Sequence, residues 1–132
     1  MTNHSFFPSN RVVIEEVEFE DLRQYPLIGE LEHADLEAIY PYLKRHTYYD
    51  GMIILKQGQS SDSFHILLSG QSDVYLDHER KVSVAKLKRG HFVGEMSCLT
   101  GRPVSATVQA IGEVQTITMP RKGIVLLMDR SA

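Results

Sequence analysis

Two hydrophobic rhythms run along this chain, one helical and then a series of short β runs. Leu36, Ile39 and Leu43 recur at spacings of three and four, with Asp35 and Glu37 on the opposite side, the stripe of a short amphipathic helix. Pro41 disfavours helical backbone at Tyr40 before it, so the helix is expected to end or kink there and a strand to follow. Beyond Lys44, the runs 47–49, 52–55, 63–69, 72–76, 81–87, 105–110 and 113–119 read as strands, and they are punctuated by glycine-containing turns such as Arg89-Gly90 and Ile111-Gly112. Short strands at this regular spacing predict a mainly β fold, a barrel or jelly roll, flanked by short helices. Pro120 is expected to open a closing helix with Ile124, Leu127 and Met128 on its apolar face.

The first thirty residues are less regular. Glu15, Glu16, Glu18, Glu20 and Asp21 interleave with Val17 and Phe19, which suits an edge strand or a helix with Val13, Val17 and Leu22 inward. Residues 1–30 are therefore treated as an arm or helix of unassigned role, and 31–132 as the domain. The length of 132 residues suits one core. A net charge of −3, from 17 acidic and 14 basic residues, leaves no footprint for direct nucleic-acid binding. No apolar run approaches a bilayer span, and the single cysteine, Cys98, suits a reducing compartment. A cytoplasmic domain is expected.

One segment interrupts the strands. In residues 90–108, Gly94 allows close backbone approach to a ligand, and residues 95–99 can form a helical turn whose free amides face an anion. A carboxylate at that turn disfavours phosphate, so Glu95 makes sense as the acceptor of a ligand hydroxyl. One phosphate beside a sugar hydroxyl is the ligand this chemistry suggests.

Phe92 through Val108 resembles the phosphate-binding cassette of cyclic-nucleotide-binding domains, the family of cAMP receptor protein and protein kinase A regulatory subunits. Its usual form reads F-G-E-(L/M)-(A/S), a loop, then R-(A/S)-A-T-V, and the glycine framework at Gly51, Gly58 and Gly70 also matches. The resemblance extends from about Leu31 to Met128. It implies an eight-stranded double-stranded β-helix, or jelly-roll barrel, with its C-terminal lid helix truncated or absent here. It also implies cAMP or cGMP as ligand and a site of Gly94, Glu95, Met96, Ser97, Arg102, Ser105 and Ala106. Glu95 would take the ribose 2′-hydroxyl, and the amides of Ser97 and Ser105 the cyclic phosphate. The implied function is a regulatory sensor, coupling the cassette to a C-terminal helix and to a fused or associated effector.

The family's phosphate-pairing arginine aligns with Val104, and Arg102 lies two residues earlier. Loss of that contact is worth roughly 1.5–3 kcal/mol. Three readings stay open: Arg102 reaches the site from the loop, the barrel has lost its nucleotide and serves dimerisation or docking, or another small ligand binds. Enzymatic activity is not expected, since no G-x-S-x-G run occurs. Nor is a metal or other cofactor, since His4, His33, His46, His65, His78 and His91 form no H-x-H pair. Cys98 reads as a buried filler.

Overall fold

The structure, a computed structural model, describes residues 11–77 and 81–131; His4 and His78 lie outside them. The helix expected from Leu36 and Ile39 is α1, His33–Ile39, followed by a 3-10 turn at Tyr40–Tyr42. Tyr40 keeps right-handed helical dihedrals, φ −47° and ψ −46°, so Pro41 does not push it into extended backbone; the helix instead tightens there into the 3-10 turn. Strand β2, Lys44–Tyr48, follows at once, starting earlier than its apolar run suggested because its first residues pair with the end of a later strand. Ahead of α1, the edge-strand reading of the acidic stretch holds for β1, Val13–Glu16, which pairs antiparallel with β2. A 3-10 turn at Phe19–Gln24 then buries Leu22 completely. Phe19 meets the edge of Tyr40 at a centroid distance of 5.3 Å, and the Tyr40 hydroxyl donates to Val17 O at 2.9 Å.

The remaining strands are β3, Ile53–Leu55; β4, Ser63–Asp77; β5, Lys81–Leu87; β6, Phe92–Val93; and β7, Thr107–Pro120. They form one antiparallel sheet in the order β1-β2-β7-β4-β5, with β3 joined to β7 and β6 to β4. Runs expected as four strands, 63–69 with 72–76 and 105–110 with 113–119, are two long bent ones. The jelly-roll expectation of eight strands is thus met by seven among the described residues. The ladder resumes beyond the glycines because the partner strands are of nearly equal length, 15 and 14 residues, and its register shifts beside Gly70. Pro120 ends β7 opposite Ser63, and α3 spans Arg121–Ser131, one residue later than expected.

β4 is buried on both faces. Ile66 and Leu68 join Val17, Leu22, Leu36, Ile39 and Ile117 in a cluster under the helical arm, and Leu67 points into the barrel with Tyr48, Leu55, Val108 and Val114. An unbroken apolar run is what two-sided burial requires. The barrel interior also holds polar groups: His65, Thr116 and Thr118 are buried, and neither His65 Nδ1 nor Thr116 Oγ1 finds a partner. Burial, and then neighbouring His46, pushes the His65 pKa down to about 4.

Gly70 carries the bend of β4. Its φ is +83°, and an added Cβ would lie 2.2 Å from Glu113 O and 3.1 Å from Val114 Cα. Gly70→Ala is expected to lower stability by about 2–4 kcal/mol, read as a reduced urea midpoint. The His65 shift sets a pH dependence. The unfolded chain takes up this proton near pH 6.5 and the folded chain near pH 4, so stability present above pH 6.5 is lost as pH falls through that window. Stability at pH 5 is expected to be about 2 kcal/mol below that at pH 7, and His65→Phe should flatten this slope in urea titrations.

Candidate functional site

Antiparallel pairing of His65 with Val93 and Ile66 with Phe92 carries the chain across the barrel mouth to Gly94. There φ is +86°, and a Cβ would stand 2.9 Å from Ser63 O and 3.6 Å from His65 Cδ2. Only glycine permits both the conformation and the approach. Gly94 caps α2, Glu95–Thr100, whose first backbone bond runs from Cys98 N to Gly94 O at 2.9 Å. No side chain caps this end, which leaves the amides of Glu95, Met96 and Ser97 open. The helix stops at Gly101, again left-handed at φ +78°.

The side chains of this turn diverge in their use. Glu95 is half-buried, while Met96 is 60% exposed. Ser97 is buried and its Oγ accepts from Ser61 N at 2.7 Å, so its hydroxyl serves the loop before β4. Cys98 is buried beside Asp62 O, and burial, with Asp62, pushes its thiol pKa up. That is the filler expected, and the opposite of an activated thiolate.

After α2 the chain passes through exposed Arg102, whose amide donates to Thr100 Oγ1 at 3.2 Å, to Val104. Val104 is pinned on both sides: its N donates to Gln59 O and its O accepts from Gly58 N, each at 2.9 Å. Its side chain is half-buried and packs on the barrel cluster. Ser105 is exposed, Ala106 half-buried, and Thr107 starts β7 with Oγ1 accepting from Gln57 N at 3.0 Å.

Two adjoining clefts result, sharing Gly94, Glu95, Val104 and Ser105. One, of about 280 Å³, adds Met96, Ser97, Arg102 and Pro103. The other, of about 290 Å³, adds Ala106 and the apolar walls Leu55, Val74, Ala85, Leu87 and Val108. All seven residues expected at the site border one cleft or both. The apolar walls were missed; the alternation of Ala85 and Leu87 along β5 was the available signal. A wider cleft of about 540 Å³ lies between α2, Ser60–Asp62 and Arg121, separating α2 from the start of α3.

His46 and His65 approach to 6.1 Å between ring centres, and burial lowers the pKa of both. Among the described residues no three His, Cys, Asp or Glu side chains converge on a metal position. No helix among them is long and apolar enough to cross a membrane.

Comparison with known proteins gives one direction. Residues 45–131 match the family model of the cyclic nucleotide-binding domain. The cAMP-dependent protein kinase regulatory subunit of Colletotrichum orbiculare is 32% identical over 111 residues, covering 83% of this chain and 28% of that protein. This chain thus spans little more than a quarter of that relative's length. Among solved structures, the Thermus thermophilus catabolite activator protein is 25% identical with a TM-score of 0.68, covering 80% of this chain and 50% of that one. The regulatory subunit of a cAMP-independent protein kinase A from Trypanosoma cruzi, bound to guanosine, shares the fold at a TM-score of 0.71 and 20% identity, covering 83% of this chain and 40% of that one. With the glycine-capped turn at the barrel mouth and the family match over most of its length, the chain belongs to the cyclic nucleotide-binding domain family.

Proposed function

We propose that the domain is a regulatory sensor for ligands of the cAMP and cGMP type, which it couples through α2 to α3 and to an effector domain or partner. The observation that carries this is the pair of clefts joined at Glu95. An apolar cleft suits the face of a base, and a half-buried carboxylate at the junction suits a ribose hydroxyl. The open amides of α2 then face whatever substituent the sugar carries. Arg102 stands on the rim of that second cleft.

The coupling rests on one short loop. Ser61 N donates to Ser97 Oγ, Ser60 Oγ donates to Gly101 O at 2.9 Å, and Arg121 N donates to Asp62 O at 3.3 Å. Both helices are thus tied to residues 60–62. α3 in turn leans on the helical arm: Ile124 and Leu127 pack on its cluster, and Arg130 Nε donates to Asp35 Oδ1 at 2.6 Å. A ligand that draws α2 toward the cleft would shift the loop, and with it the balance between docked and released α3. That requires different affinities for the two arrangements. In the same reading, the family's lid over the cleft would come from a continuation of α3.

Val104 favours a second reading, in which the barrel binds no nucleotide and works by self-association or docking. The two part on direct titration. On the sensor reading, calorimetry detects binding of a purine ribonucleoside or its cyclic nucleotide, and Glu95→Gln weakens it by about tenfold, one charge-assisted hydrogen bond. Absence of binding by all such ligands rejects the sensor. Hydrogen exchange tests the coupling: ligand is expected to change protection across Arg121–Ser131 as well as Glu95–Thr100, and a change confined to α2 would reject it.

A further inference from the structure

We infer that the cleft selects an uncharged ribonucleoside, base and sugar without phosphate, over the cyclic nucleotide built from it. The inference rests on the reading that base and ribose occupy the joined clefts, and concerns what the protein offers beyond the sugar. At the junction stands Val104, half-buried and lining both clefts. Its backbone bonds to Gly58 and Gln59 fix the direction of its side chain, so a neighbouring residue cannot take its place by a small shift of the loop. An isopropyl group offers neither charge nor hydrogen bond to an anion.

The other groups around the junction do not restore what valine lacks. Among the described residues lining the two clefts the only cation is Arg102, which is exposed and has its amide tied to Thr100 Oγ1. An exposed charge acts through water and is heavily screened. Opposite lies the Glu95 carboxylate, which has no ion-pair partner among the described residues and would repel a phosphate monoanion brought beside it. α2 has six residues, so its terminus offers a few amides and little aligned dipole.

A neutral riboside meets none of these costs. It presents hydroxyl donors to the Glu95 acceptor and its base to the walls of Leu55, Val74, Ala85, Leu87 and Val108. Burying a phosphate against Val104 strips its water and returns no charge-assisted contact.

The test is calorimetric titration of the chain with adenosine, guanosine, cAMP and cGMP. The tighter-binding nucleoside is expected to exceed its own cyclic nucleotide by about tenfold or more in affinity, and a smaller or inverted ratio overturns the inference while leaving the sensor reading intact. Silence from all four overturns both. Val104→Arg, with its fold checked by circular dichroism, is expected to reverse the order by raising affinity for the cyclic nucleotide; a folded variant that keeps the order counts against Val104 as the selecting residue. Val104→Lys is the second variant should the arginine not fold, with the same reversal expected.

Discussion

The pairing of β4 with β7 is the constraint on which the rest of this domain hangs. The two strands pair from Ser63 opposite Pro120 to Tyr75 opposite Thr107, with the register shifting on either side of Ser69, and both turn together beside Gly70. Gly70 has no room for a side chain because the carbonyl of Glu113 lies where its Cβ would be. On one side of that bend the ladder presents Ile66, Leu68, Ile117 and Met119 to the helical arm; beyond it, Val108 and Val114 close the barrel core. One ladder thereby serves two clusters. It also delimits the site, since β6, which opens the cassette, is paired to β4 and the cassette loop runs straight into β7.

Much of this was legible in the residue pattern, for a physical reason. Alternation and glycine spacing are local properties, and the elements they mark, from α1 to α2 and β5, lie where those properties place them. What was not legible depends on partners distant in sequence. Whether a strand stops at Gly70 or continues depends on a mate forty residues further along, and the start of β2 at Lys44 depends on Thr118. Val13–Glu16 was ambiguous because four exposed residues carry no burial signal of their own; pairing with β2 decides it. Arg89, which donates to Leu68 O at 2.9 Å and to Gln24 O at 2.7 Å, clips the arm to the barrel and has no mark in any local pattern.

The site divides in the same way. Gly94, Glu95 and the short helix were readable because left-handed backbone, a capless helix start and a carboxylate all lie within six residues. The direction of Val104 was not, since Gly58 and Gln59, some forty-five residues earlier, hold it. The same contact explains why the position matters. A residue held at both N and O in a structured loop behaves as part of the wall, and its side chain chooses what the wall accepts. Exposed Arg102, with one backbone bond to its own turn, has no such definition.

The loop at residues 60–62 joins these threads. It lies between α2 and the first residue of α3, receives a hydrogen bond from each through Asp62 O, and borders the cleft of about 540 Å³ between them. Three small polar residues in that position tie the two helices through hydrogen bonds rather than through interdigitated apolar packing. Hydrogen bonds of this kind contribute about 1 kcal/mol each and re-form after a small displacement, whereas a packed core resists one. The helical arm holds α3 by apolar burial of Ile124 and Leu127 and, near its far end, by the Arg130–Asp35 contact. The start of α3 continues directly from Pro120 of β7 and packs Gly123 closely on Met119, and it borders the cleft that separates it from α2. On the proposed sensor reading, a displacement of α2 would reach α3 through the hydrogen bonds of this loop, without any rearrangement of the β4–β7 ladder that supports both.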